Sequence, residues 1–63
     1  MKKYIVINKA HTAIFIDFME SFNGQPLHLY GSPKGNKPYI FDNKSHAVNT
    51  ANNIGSDWTI EEL

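Results

Sequence analysis

The sequence predicts an α+β fold, a small antiparallel sheet in the order β-β-β-β-α-β with one short helix packed on one face. The β-branched and aromatic run at residues 4–7 is typical of a strand. A three- and four-residue apolar spacing predicts an amphipathic helix, through Ala47, Val48, Ala51 and Ile54. The final segment alternates, so that Trp58 and Ile60 face the same side of a closing strand.

The first two strands form a predicted antiparallel hairpin, with a turn at residues 8–11. In the second strand, residues 12–18, alternation places Ile14, Ile16 and Phe18 on one face. Residues 19–22 fit either one helical turn or the end of this strand. Asn23-Gly24 is a strong turn signal before a further strand at residues 25–30.

The strand at residues 25–30 has Leu27 and Leu29 on one face, and Pro26 limits it to a sheet edge or a strand start. A loop rich in Gly, Pro and Lys follows at residues 31–38, and residues 39–41 form a short predicted strand.

The predicted helix begins after Asn43, whose side chain can accept a hydrogen bond from the first turn. Gly55 stands where a left-handed C-terminal cap is wanted. We expect one core cluster from the helix and its neighbours, composed of Phe41, Val48, Ala51, Ile54 and Trp58.

Composition limits the classes of function. A chain of 63 residues makes one domain, residues 1–63, that buries only about 60% of its unfolded surface. It has no cysteine, so stability must come from eight aromatic residues or from oligomerisation. Six lysines balance six acids, which disfavours membrane-surface and general nucleic-acid binding and favours self-association, with a homodimer expected.

No signal peptide and no run long enough to span a membrane is present, so we expect a cytoplasmic protein.

The order of features in two segments, about residues 4–18 and 39–63, resembles very small α+β proteins of phages and their bacterial hosts. The residues that carry this resemblance are Phe41, Asn43, Ala47, Ala51, Ile54, Gly55 and Trp58. That group has no common function, but such proteins often resemble host-takeover or anti-defence factors that inhibit by binding. The acidic residue usual at the helix start is replaced here by His46. Residues 23–38 look like an insertion.

Residues around the loop are the candidate binding site. Lys34 and Lys37, flanked by Tyr30 and Tyr39, could hold a phosphate or stack a base. The loop has no phosphate-loop motif, because the glycine spacing differs and no Ser or Thr follows the lysine. Phe22 joins the set as an aromatic residue that one small helix cannot cover.

The sequence gives little support for metal binding or catalysis. His11, His28 and His46 lack the spacing of metal ligands, and Ser45 beside His46 does not make a nucleophile triad. Asp57, Glu61 and Glu62 could form an acidic patch for a basic partner. We therefore expect no catalytic site, no metal and no cofactor.

The leading hypothesis is a non-enzymatic phage or mobile-element type protein that binds and inhibits a host protein, with contacts from residues 23–38 and exposed aromatic side chains. The alternatives are a nucleotide-sequestering small-molecule binder and a weak nucleic-acid-binding module.

Overall fold

The sheet forms around the first strand. The computed structural model describes residues 2–63, apart from the side chains of residues 20–22, 25 and 26. The described residues form an antiparallel sheet in the order β3-β2-β1-β4 and one helix, which confirms the predicted fold class. The elements are β1 (Tyr4–Asn8), β2 (Ile14–Phe22), β3 (Gln25–Gly31), α1 (Lys44–Ile54) and β4 (Trp58–Glu62).

Strands β1 and β2 pair only where Ile7 lies opposite Ile14. Beyond that pair, an extended segment fills the space between them. Tyr4 and Phe41 exchange two backbone hydrogen bonds of 2.8 Å, and the Tyr39 N–H donates to the carbonyl oxygen of Phe15 at 3.1 Å. The strand predicted at residues 39–41 is therefore a single bridge at Phe41, held between the two strands of the first hairpin.

The β2–β3 hairpin closes through Asn23 and Gly24, whose φ angles of 58° and 75° are those of a two-residue type I′ turn. Residues 19–22, left open by the sequence, continue β2. The register shifts between Phe15 and Asp17 and again between Met19 and Phe22. Because of the first shift, the prediction that Phe18 shares a face with Ile14 is wrong. The shift turns Phe18 to the helix face, opposite to Ile14, because an extra residue in one strand reverses the alternation after it.

The helix begins as predicted, since the Asn43 side chain accepts a hydrogen bond from the His46 N–H at 3.1 Å. The prediction of a left-handed Gly55 is wrong. Its φ of 166° is extended, and its N–H continues the helical pattern by donating to Ala51 O at 3.1 Å. The Trp58 N–H then donates to Gly55 O at 3.2 Å, so a short turn joins the helix directly to β4.

The core lies between the helix and the β1–β4 half of the sheet. Its buried members come from four parts of the chain: Tyr4, Val6, Phe15, Phe41, Ala47 and Ala51, with Tyr39, Ile54, Trp58 and Ile60 packed against them. The expected cluster is confirmed except for Val48, which is 36% exposed. Thr50 is buried in its place, and its hydroxyl donates to His46 O at 2.9 Å, which satisfies the polar group.

Candidate interaction surface

The β2–β3 hairpin carries large apolar side chains that are exposed to solvent. Helix α1 packs against one face of β1 and β4 and leaves the opposite face of the sheet without a helix. Met19 and Leu27 are directly opposite each other across the two strands and are 49% and 42% exposed. Leu29, two residues further along β3 and therefore on the same face, is also 42% exposed.

Ile40 lies on the same side of the sheet. Its neighbours Tyr39 and Phe41 both pack on the helix side of the sheet, so the side chain between them lies on the opposite side, where it is 47% exposed. We call the four residues Met19, Leu27, Leu29 and Ile40 the open face. Exposed apolar groups that are contiguous mark interaction sites more often than single ones do.

The helix side of the same hairpin is closed by aromatic contacts. Phe15 is fully buried, and its ring lies 4.9 Å from Phe18 and 5.7 Å from Tyr39, measured between centroids. The imidazole of His46 stacks on Phe18 at 6.0 Å with an interplanar angle of 11°. His28 reaches the Phe15 ring edge-on at 5.6 Å. These contacts explain most of the aromatic residues as packing.

The rings of the two predicted site tyrosines contact different aromatic residues. Tyr39 belongs to the aromatic cluster, with its ring 4.7 Å from that of Phe41, whereas the Tyr30 ring lies 5.3 Å from that of Trp58. Lys34 and Lys37 are exposed in the loop between β3 and α1. Phe22 lies outside the described side chains. The two tyrosines are therefore engaged with different partners, on either side of Phe15.

A groove lies elsewhere, between the helix and the edge of the sheet. It measures about 90 Å³ and is lined by Val48, Ala51, Asn52, Trp58, Thr59 and Ile60. Pockets that enclose small-molecule ligands are typically about 300–1,000 Å³. The groove is of a size to accept one aliphatic side chain, since a water molecule occupies about 30 Å³ of the liquid.

The three histidines occupy different places. His11 lies in the turn after β1, where its Nε2 is 3.4 Å from a Glu61 carboxylate oxygen. His28 is in β3 and His46 in the first helical turn. Among the described side chains, no group of three or more His, Asp and Glu gathers as a metal site would require.

Comparison of the chain with protein-family models, curated proteins and solved structures gave no significant match. Within residues 2–63, no helix has the length and apolar character needed to cross a membrane.

Sequence reasoning found part of this surface. The alternation of Leu27 and Leu29 on one face was visible in the sequence, and both fall within residues 23–38, where contacts were expected. Met19 was missed because the segment containing it fitted two kinds of structure. Ile40 was missed because its exposure depends on the insertion of residues 39–41 between β1 and β2, which sets the side of the sheet that it faces.

Proposed function

We propose that this chain is a non-enzymatic protein of phage or mobile-element type that binds and inhibits a host protein in the cytoplasm. The observation that carries the proposal is the open face, four large apolar side chains that are 42–49% exposed on one side of a small sheet. Their partner is a largely apolar surface of the host protein that also accommodates one carboxylate, because the exposed Asp17 lies opposite Leu29 on the same face.

Three further features support a binding role. The chain has no net charge, so long-range repulsion does not oppose association. The hairpin that carries the open face closes through a tight two-residue turn at Asn23 and Gly24, which fixes the register of its two strands. The resemblance to very small phage and bacterial proteins, which often act by binding, favours inhibition as the outcome of contact.

Self-association is part of the same proposal. Strand β3 lies at one edge of the sheet. Pairing of β3 from two copies would join two sheets edge to edge and bring two open faces into one larger surface. Native mass spectrometry of the gently purified protein tests this directly, with a dimer expected and a monodisperse monomer contradicting it.

The host contact is tested by changing the open face. Leu27→Lys with Leu29→Lys places two charges on exposed positions, and Asn49→Lys places one on the exposed side of the helix as a control. Each protein is used to capture partners from host lysate, and the recovered partner is purified and titrated by calorimetry. We expect wild type and Asn49→Lys to bind and to reduce the partner's activity, and the double variant to lose both.

Capture that is equal for all three proteins would contradict the proposal, as would a purified partner whose activity is unchanged by saturating wild-type protein. The nucleotide alternative gains no specific support, since the groove is formed by other residues than Tyr30, Lys34, Lys37 and Tyr39.

A further inference from the structure

Strand β4 forms the second edge of the sheet, at the opposite end of the strand order from the hairpin that carries the open face. Within residues 2–63, β4 pairs with β1 on one side and lies at the end of the strand order. The groove described above runs along this edge, with helix α1 on its other wall. An edge strand beside a helix is an arrangement in which an extended segment can add to the sheet.

The hydrogen-bond pattern shows which backbone groups of β4 are available. The Lys9 N–H donates to Asp57 O at 2.6 Å, and the Leu63 N–H donates to Lys3 O at 2.8 Å. In an antiparallel pair, hydrogen-bonded and non-hydrogen-bonded positions alternate along each strand. The odd-numbered residues of β4 therefore bond to β1, and the even-numbered residues direct their N–H and C=O groups outward.

Three residues are even-numbered, namely Trp58, Ile60 and Glu62. The Trp58 N–H is used internally, by donation to Gly55 O. Ile60 and Glu62 keep outward N–H and C=O groups for an added strand. Because cross-strand partners share a face, a residue paired with Ile60 would direct its side chain to the helix side, where the groove lies.

Charge indicates the chemistry of the occupant. Three of the six acidic residues of the chain lie within residues 57–62, a segment without a basic residue. Glu61 and Glu62 are each 3.4 Å from a base of this chain, His11 and Lys2, but their side chains are still 52% and 50% exposed. Glu61 pairs with Ile5 and lies on the face away from the helix. An added strand thus meets an apolar groove on one face and a carboxylate on the other.

We propose that the β4–α1 groove is a strand-addition site for a basic extended segment of a partner protein, with aliphatic side chains facing the groove and lysine or arginine facing Glu61. This site is separate from the open face, because the groove lies on the helix side of the sheet and the open face on the opposite side, and the two share no residue. A variant that abolishes binding at the open face therefore still allows peptide binding at the β4–α1 groove to be measured.

The probe is a short capped peptide that alternates valine and lysine, titrated into isotopically labelled full-length protein and followed by NMR. We expect shifts centred on the amides of Ile60 and Glu62 and on groove residues of the helix. A peptide that alternates valine and glutamate should bind at least about tenfold more weakly, since it places like charges beside Glu61. Absence of shifts at millimolar peptide, or shifts confined to β2 and β3, would overturn the proposal.

Two pairs of variants distinguish backbone hydrogen bonding at β4 from nonspecific binding of the peptide. Glu62→Pro removes an outward N–H without breaking the ladder to β1, and Glu62→Ala removes the same charge while keeping the N–H. Loss of one backbone hydrogen bond predicts binding about three- to tenfold weaker for Glu62→Pro than for Glu62→Ala. Asn52→Phe obstructs the groove, and Asn53→Phe adds the same ring to an exposed helix position outside its lining. Equal affinity within both pairs would refute strand addition at β4.

Discussion

Tyr30 and Trp58 lie on the two opposite edge strands of the sheet, yet their ring centroids are only 5.3 Å apart. Neighbouring strands are about 4.8 Å apart, so edge strands separated by two others would be well beyond contact in a flat sheet. The rings meet because the sheet is strongly curved toward the helix side. The pair thus joins the two edges of the sheet.

Removal of this contact should weaken the fold measurably. Tyr30→Ala is expected to lower the free energy of unfolding by about 1 kcal/mol, the typical worth of an aromatic pair. Tyr30→Phe keeps the ring and should stay within about 0.5 kcal/mol of wild type. Urea denaturation followed by Trp58 fluorescence measures both. If Tyr30→Ala were as stable as wild type, the pair would contribute nothing to the stability of the fold.

Replacement of two helix asparagines by alanine should change the stability of the protein in different directions. Asn43→Ala removes the side chain that accepts from the His46 N–H and should cost about 1 kcal/mol of stability. Asn49→Ala, at an exposed position inside the helix, replaces a poor helix former by the best one and should be neutral or slightly stabilising. Thermal unfolding followed by circular dichroism compares them. A loss of the same size in both would contradict the capping role of Asn43.

Asn8 organises the turn that leads from β1 to β2. Its side-chain oxygen accepts from the N–H groups of Thr12 at 2.8 Å and Ala13 at 3.0 Å, and its amide nitrogen donates to the Thr12 hydroxyl at 2.7 Å. Asn8→Ala should therefore cost about 1–2 kcal/mol. Asn8→Asp keeps the acceptor and should lose less than Asn8→Ala. Chemical denaturation of the three proteins checks this order, and a reversed order would contradict the role of the Asn8 side-chain oxygen as an acceptor.

The local signals of the sequence predicted most of the fold. Asn43 as the helix cap, Asn23-Gly24 as a tight turn and Pro26 at a sheet edge each follow from the chemistry of a few neighbouring residues. The insertion of residues 39–41 between β1 and β2 could not be read locally, because it depends on where two distant strands separate. The register shift that turns Phe18 toward the helix is equally invisible to a period-two pattern.

The same distinction applies to the candidate surfaces. Leu27 and Leu29 were placed on one face from their spacing, but their exposure depends on which face of the sheet the helix covers. Val48 fits the apolar stripe of the helix, yet it lines the groove beside β4 instead of the core. Position relative to the sheet therefore decides which apolar residues are available for binding, and no spacing rule in the sequence specifies that.

The nucleotide alternative makes a distinct prediction. If Lys34 and Lys37 held a phosphate while Tyr30 and Tyr39 stacked a base, the chain would bind nucleoside phosphates, and Lys34→Ala with Lys37→Ala would abolish that binding. We expect no binding heat when nucleoside mono- and triphosphates are titrated into the wild-type protein by calorimetry. The physical reason is that both tyrosine rings already pack against other aromatic rings, those of Trp58 and Phe41, so a base would have to displace one of these contacts. Micromolar binding that disappears in the double variant but survives Leu27→Lys would establish nucleotide sequestration instead of host-protein binding as the function of the loop.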